Sequence, residues 1–172
     1  MLKLLGSCMI LTGCFGIGWW YRAQFNGRLG TIRTLRRILE LLSGEVRYGR
    51  STLPECCSLV AGSFDEPFGS VLERIGQKMR DNIGLPFGEV FQKEFEEALD
   101  GTHLKSEDRE AFLQFTRQNC HADGQMQLRA MEQSMELLRK TEASLERENA
   151  EKCRMAVGLG AMSGILLILI LW

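Results

Sequence analysis

Apolar residues recur at three- and four-residue intervals over most of this chain, the spacing of amphipathic helices rather than the strict alternation of strands. The stretch "TIRTLRRILELLSGEV" places Ile32, Leu35, Ile38, Leu39, Leu42 and Val46 on one stripe, and Tyr48-Gly49 closes that helix. "STLPECCSLV" opens the next one. Its Thr52 and Glu55 stand at capping-box spacing, and Pro54 falls in the first turn, where a missing N–H leaves no bond unmade. In "EPFGSVLERIGQKM" the residues Phe68, Val71, Leu72, Ile75 and Met79 share a phase, and in "LPFGEVFQKEFEEAL" Phe87, Val90, Phe91, Phe95 and Leu99 do the same. "SEDREAFLQF" begins with Ser106 as its cap and acids in the first turn, which suits the helix dipole.

From about Asp123 the pattern no longer breaks. Leu128, Met131, Met135, Leu138 and Leu145 keep heptad-like spacing, with Glu142 the one polar interruption, and no Gly intervenes between Gly124 and Gly158. The pattern predicts one helix from about residue 123 to the end, about 75 Å long at 1.5 Å per residue, with Lys140 to Lys152 as a solvated stalk. The fold class expected is all-α.

Two stretches carry no charge at all: Leu4 to Tyr21 and Met155 to Trp172. Eighteen helical residues span about 27 Å, close to the roughly 30 Å hydrocarbon core of a bilayer, so each is expected to be a transmembrane helix. The first ends in Trp19-Trp20-Tyr21-Arg22, aromatics followed by a cation, as a span does where it meets the headgroups. The alternative for the first stretch is a lipoprotein leader, since Leu11-Thr12-Gly13-Cys14 resembles a lipobox; the chain would then be a lipid-anchored extracytoplasmic binding protein processed at Cys14. The apolar run that continues for seven residues past Cys14 argues for the retained helix. The chain thus divides into a span over 1–21, a helical domain over 22–154 and a span over 155–172. Arg22, Arg28, Arg33, Arg36 and Arg37 follow the first span, and Arg147, Lys152 and Arg154 precede the second, while the opposite side offers Lys3 alone. The positive-inside rule therefore places the domain in the cytosol. The six cysteines form no disulfide framework, which agrees.

Charge within the domain is polarised. Residues 22–50 hold seven Arg against Glu40 and Glu45, and residues 85–110 hold eight acids against Lys93, Lys105 and Arg109. The basic end reads as a collar beside anionic lipid. The acidic helix reads as a solvated face or as a docking surface for a basic partner, with Glu94, Glu96 and Glu97 as its candidate residues. Chemistry is scarce. His103 and His121 are the two histidines, and Cys120-His121 has no second Cys/His pair at zinc-finger spacing. "GLGAMSG" lacks the lysine of a phosphate loop, and the Arg-rich helix carries aliphatics rather than the aromatics of a nucleic-acid surface. No catalytic residue, cofactor site or metal site is assigned, and no nucleic-acid partner is expected. Gly160 and Gly164 form G-x-x-x-G, a spacing that lets helices approach closely in lipid. The candidate partner is the first span, with Gly6, Gly13, Gly16 and Gly18, or a second copy in a homo-oligomer.

The order of these pieces resembles one family. A short N-terminal span, a basic first helix, "VRYGRSTLPE", "LPFGEVFQKE", "LKSEDREAFLQF" and a last helix running into an apolar tail are similar to stage III sporulation protein AB over essentially the full length. Tyr48-Gly49 followed by Leu53-Pro54-Glu55 are the most specific positions. The resemblance implies a cytosolic domain similar to that of type II secretion protein F, the inner-membrane platform of secretion machines, and hence a small bundle of about six helices. It implies a place in the outer forespore membrane, with the domain in the mother-cell cytosol. It also implies service in the feeding-tube-like channel complex between mother cell and forespore. The expected partners are the ATPase of that complex (sporulation protein AA), other stage III sporulation membrane proteins and the lipid bilayer.

Overall fold

The computed structural model of the protein describes residues 27–48, 52–81, 84–117 and 124–171, the side chains of the last stretch being described for 125–152 and Met155. Helix α1 covers residues 27–48, followed by α2 (Leu53–Ala61), α3 (Phe68–Asp81), α4 (Phe87–Leu99), α5 (Ser106–Arg117) and α6 (Gly124–Leu171). The fold class is all-α, as the periodicity requires.

Helices α2 to α6 pack each on the next, and α1 lies antiparallel along α6. That direction is fixed by ion pairs: Arg33 meets Glu142 and Glu146, while Arg47, fourteen residues further along α1, meets Glu132, which precedes both on α6. The core forms where the stripes converge. Ile32, Leu35, Ile38, Leu39 and Leu42 of α1 are fully buried, as are Leu72 and Ile75 of α3 and Met131 and Leu138 of α6. Val46, Met79, Val90 and Met135 sit at its margin, partly buried. A cluster of rings occupies the α4–α5 contact, with centroids 4.4 Å apart for Phe91–Phe95, 4.9 Å for Phe95–Phe112 and 5.1 Å for Phe91–Phe115. Offset and edge-on pairs of this kind each contribute about 0.5–1.5 kcal/mol beyond the area they bury.

Helix ends show which local signals operate. The Thr52 amide donates to Glu55 Oε2 at 2.7 Å, closing the capping box of α2 with Pro54 in its first turn. That bond, made to the ionised form, holds the Glu55 carboxyl below the usual carboxylate range. The start of α5 differs from the sequence expectation. Ser106 is the first helical residue rather than the cap, and the cap is made by Asp108, whose Oδ2 accepts the Lys105 amide at 3.1 Å. At the end of α4, Arg109 Nη2 donates to the Leu99 carbonyl at 2.8 Å, a cation supplied by α5 to the negative end of the neighbouring helix. At Gly76 helices α2 and α3 approach closely: a Cβ there would lie 1.9 Å from Ser58 Oγ and 3.2 Å from the Pro54 carbonyl oxygen.

Helix α6 is a single element of 48 residues, about 72 Å at 1.5 Å per residue, as the absence of Pro and of any Gly between Gly124 and Gly158 implied. Among the described residues no helix is long and apolar enough to cross a membrane. The first charge-free stretch, Leu4–Tyr21, lies outside the described residues, as does Gly49, and the second is described as helical backbone up to Leu171.

Candidate functional site

Charge, not a cavity, is the outstanding feature of the bundle, and the structure divides its charges into two sets: those already satisfied and those left to solvent. Glu94 of α4 belongs to the first set. Only 3% of it is exposed, and it accepts Arg74 Nε at 3.0 Å and the Lys78 ammonium, both from α3. Burial pushes its carboxyl up, but the hydrogen bonds and charges of Lys78 and Arg74 outweigh burial and hold it below the usual range. Glu94 is thus a tie between α3 and α4. The expectation that it belongs to an outward docking face with Glu96 and Glu97 is corrected: it points inward because residue 94 falls three positions after Phe91, on the apolar stripe. Glu96 and Glu97 lie on the opposite, exposed side, Glu96 accepting Gln92 Nε2 at 2.7 Å. With Glu89, Asp100, Glu107 and Glu110, all exposed, they give α4 and α5 an acidic outer surface; Asp100 already pairs with Arg109 at 2.8 Å, and Lys93, Lys105 and Arg117 lie among them.

The basic helix is likewise largely satisfied from within. Arg28 grips Asp108 of α5, Arg33 binds Glu142 and Glu146, Arg36 reaches Glu40 and Glu142 at 3.3 Å, and Arg47 binds Glu132. Glu142, the polar break in the α6 heptads, is 14% exposed at its side chain and sits between two guanidinium groups. Four of these arginines also serve the α1–α6 and α1–α5 contacts, whose carboxylates lie up to 113 residues away in sequence, while Arg33 and Arg47 keep about half of their side chains exposed.

These pairs also show which end of the bundle faces the second charge-free stretch. The Glu148 carboxyl is held low first by its hydrogen bond from Lys152 and further by the charges of Lys105 and Arg28. Arg28 pairs with Asp108 just past the α4–α5 loop, and Arg33 with Glu142 and Glu146, so the start of α1, that loop and the stretch of α6 beyond residue 146 share one end, from which α6 continues towards residue 155. The end of α1, with Tyr48 at 87% exposure, is at the other.

Of the motif positions, Tyr48 ends α1 in solvent, Leu53 is buried, Pro54 is half-buried in the first turn of α2, and Glu55 is exposed and closes the capping box. Their described roles are local: they start α2 and aim it at α3. Gly160 and Gly164 are helical backbone positions of α6. Cys56 and Cys57 are buried thiols on α2, the Cys57 thiol pushed well above its ordinary range by burial. Cys120 and His121 lie outside the described residues. Among the described residues no group of three or more His, Cys, Asp or Glu is placed to hold a metal ion. A shallow groove of about 190 Å³ between α1 and α6 is lined by Arg36, Glu40, Glu132, Met135, Glu136 and Arg139. Five charges and one methionine suit water better than an apolar ligand.

Comparison with known proteins gives three results. The family model described as stage III sporulation protein AB matches residues 3–172. A relative named stage III sporulation protein AB, from Bacillus subtilis (strain 168), is 26% identical over 171 residues, which is 99% of each chain. A solved structure titled stage III sporulation protein AB superimposes with a TM-score of 0.64 over 73% of this chain and 98% of that one, at 20% identity, a likeness of fold.

Proposed function

The chain belongs to the stage III sporulation protein AB family, and from that premise we propose that it is a structural, non-enzymatic component of the sporulation channel complex joining mother cell and forespore. Residues 4–21 and 155–172 are its two membrane spans, each eighteen residues without a charge. The helical domain stands in the mother-cell cytosol as a platform, in the manner of type II secretion protein F. Its acidic outer surface docks the ATPase of the complex, sporulation protein AA.

The single observation that carries this reading is the division of charge. Four of the five arginines of α1 are ion-paired within the domain, Arg33 and Arg47 at about half exposure, whereas Glu96, Glu97 and their neighbours on α4 and α5 are presented to solvent without a basic partner from another helix among the described residues, Asp100 excepted. Charge presented in this way steers and orients a partner of opposite sign. The continuous α6 supplies the mechanical link, because one helix runs from the bundle into the second charge-free stretch.

The test is co-purification of the tagged full-length protein with the ATPase from detergent-solubilised membranes. Reversing Glu96 and Glu97 to Lys should leave thermal stability unchanged and abolish recovery of the ATPase. Recovery equal to that of the unaltered protein removes this surface from the account.

A further inference from the structure

Glu142 and Glu146 hold Arg33, and Glu142 also holds Arg36, so these two carboxylates mark the side of α6 that faces α1. Helix α6 continues unbroken to Leu171. At 3.6 residues per turn, eighteen residues make five whole turns. Gly160 therefore lies below Glu142, and Gly164 below Glu146, on that same side. The glycines prolong the α1-facing side of α6 into the charge-free segment.

The ion pairs also fix a register. Arg36 is level with Glu142, which sets the register for α1 alone; carried back at the same helical rise it would bring Gly18 level with Gly160 and Cys14 level with Gly164. Five residues, 22–26, separate the start of α1 from the first charge-free stretch, a connection of at most about 18 Å. Residues 4–21 are thus tethered beside the glycine side of α6 at a far higher effective concentration than any second molecule.

We propose that the side of α6 carrying Gly160 and Gly164 is covered by residues 4–21 of the same chain, antiparallel and in the register of the Arg33, Arg36 and Arg47 pairs. The α1–α6 pair then continues through the bilayer as one helical hairpin, its close approach permitted by glycines where lipid gives no hydrophobic drive to association. This rests on the two-span reading above.

The test uses the full chain in membrane vesicles, with Cys14 as the sole native thiol and one further cysteine introduced at each position from 160 to 167 and at 171. After oxidation with copper phenanthroline, Gly164→Cys should lose both free thiols while migrating as a monomer, because facing Cα atoms within about 7 Å can be bridged. Leu171→Cys, seven residues further along, should keep them. Disulfide-linked dimers, or no disulfide anywhere in the scan while the protein resists carbonate extraction, overturn the hairpin and leave the spans standing. Release of the protein by carbonate overturns both.

Discussion

Arg28 and Asp108, eighty residues apart in sequence, meet through two parallel hydrogen bonds, Nε to Oδ2 at 2.8 Å and Nη2 to Oδ1 at 3.0 Å. The same carboxylate takes the Lys105 amide, so one buried side chain starts α5 and fastens it to the first turn of α1. A planar guanidinium matches a carboxylate in this way and an ammonium does not. The pair lies at the end from which α6 leaves the bundle.

Asp108→Ala should therefore cost about 3–5 kcal/mol, the range for removing one member of a buried pair, read as a shift in the denaturation midpoint of the full-length protein in detergent. Arg28→Lys should lose a smaller part of it. The combined Arg28→Met, Asp108→Leu variant should recover most of the loss except the cap on Lys105.

The second prediction concerns acid. The Glu94 carboxyl is held below its unfolded range by Lys78 and Arg74, so its contribution is present above the unfolded value, about 4.3, and is lost as pH falls through the lower folded value. Glu94→Gln should destabilise by about 1–3 kcal/mol at neutral pH and flatten the fall in stability below about pH 4. Melting curves from pH 7 to pH 3 measure both effects; identical acid limbs in the two proteins would remove the tie between α3 and α4.

Gly76 gives a steric prediction. Gly76→Ala drives a methyl group into Ser58 Oγ and close to the Pro54 carbonyl, and overpacking of this kind costs about 1–3 kcal/mol. Ser58→Ala should relieve part of the clash but not the backbone contact. It also removes the acceptor of the 2.8 Å bond from Arg80 Nη1, so the rescue should be incomplete.

Glu142→Lys puts a third cation between Arg33 and Arg36 and should loosen α1 from α6, whereas Glu142→Gln should cost about 1 kcal/mol. Hydrogen exchange of the α1 amides checks this: the Lys variant should speed exchange along α1 more than along α3.

Much of the fold is legible in the sequence because the controlling signals are local. The stripes of α1, α3 and α4, the capping box of Thr52 and Glu55, and the unbroken run from Gly124 onward each rest on neighbours within one or two turns. The cross-helix charges were not legible, since Arg28 finds Asp108 and Arg33 finds Glu142 only after the helices have packed. A partial signal existed. Glu94 lies three residues after Phe91 and Asp108 four before Phe112, so each carboxylate falls in phase with a buried ring. An acid on the apolar stripe marks a buried partner, and reading residues 94, 96 and 97 as one patch overlooked that phase. Gly76 likewise reads as an ordinary helix glycine until α2 lies against it.

The central claim is that lipid holds the chain through residues 4–21 and 155–172, with the domain between them in the cytosol. A cysteine at Leu59, exposed on α2, introduced into protein lacking the six native cysteines, tests it most directly through a membrane-impermeant maleimide applied to intact protoplasts of sporulating cells. The account predicts no labelling until the membrane is permeabilised, with the protein remaining in the carbonate-washed pellet. Labelling in intact protoplasts, or release of the protein by carbonate, contradicts it.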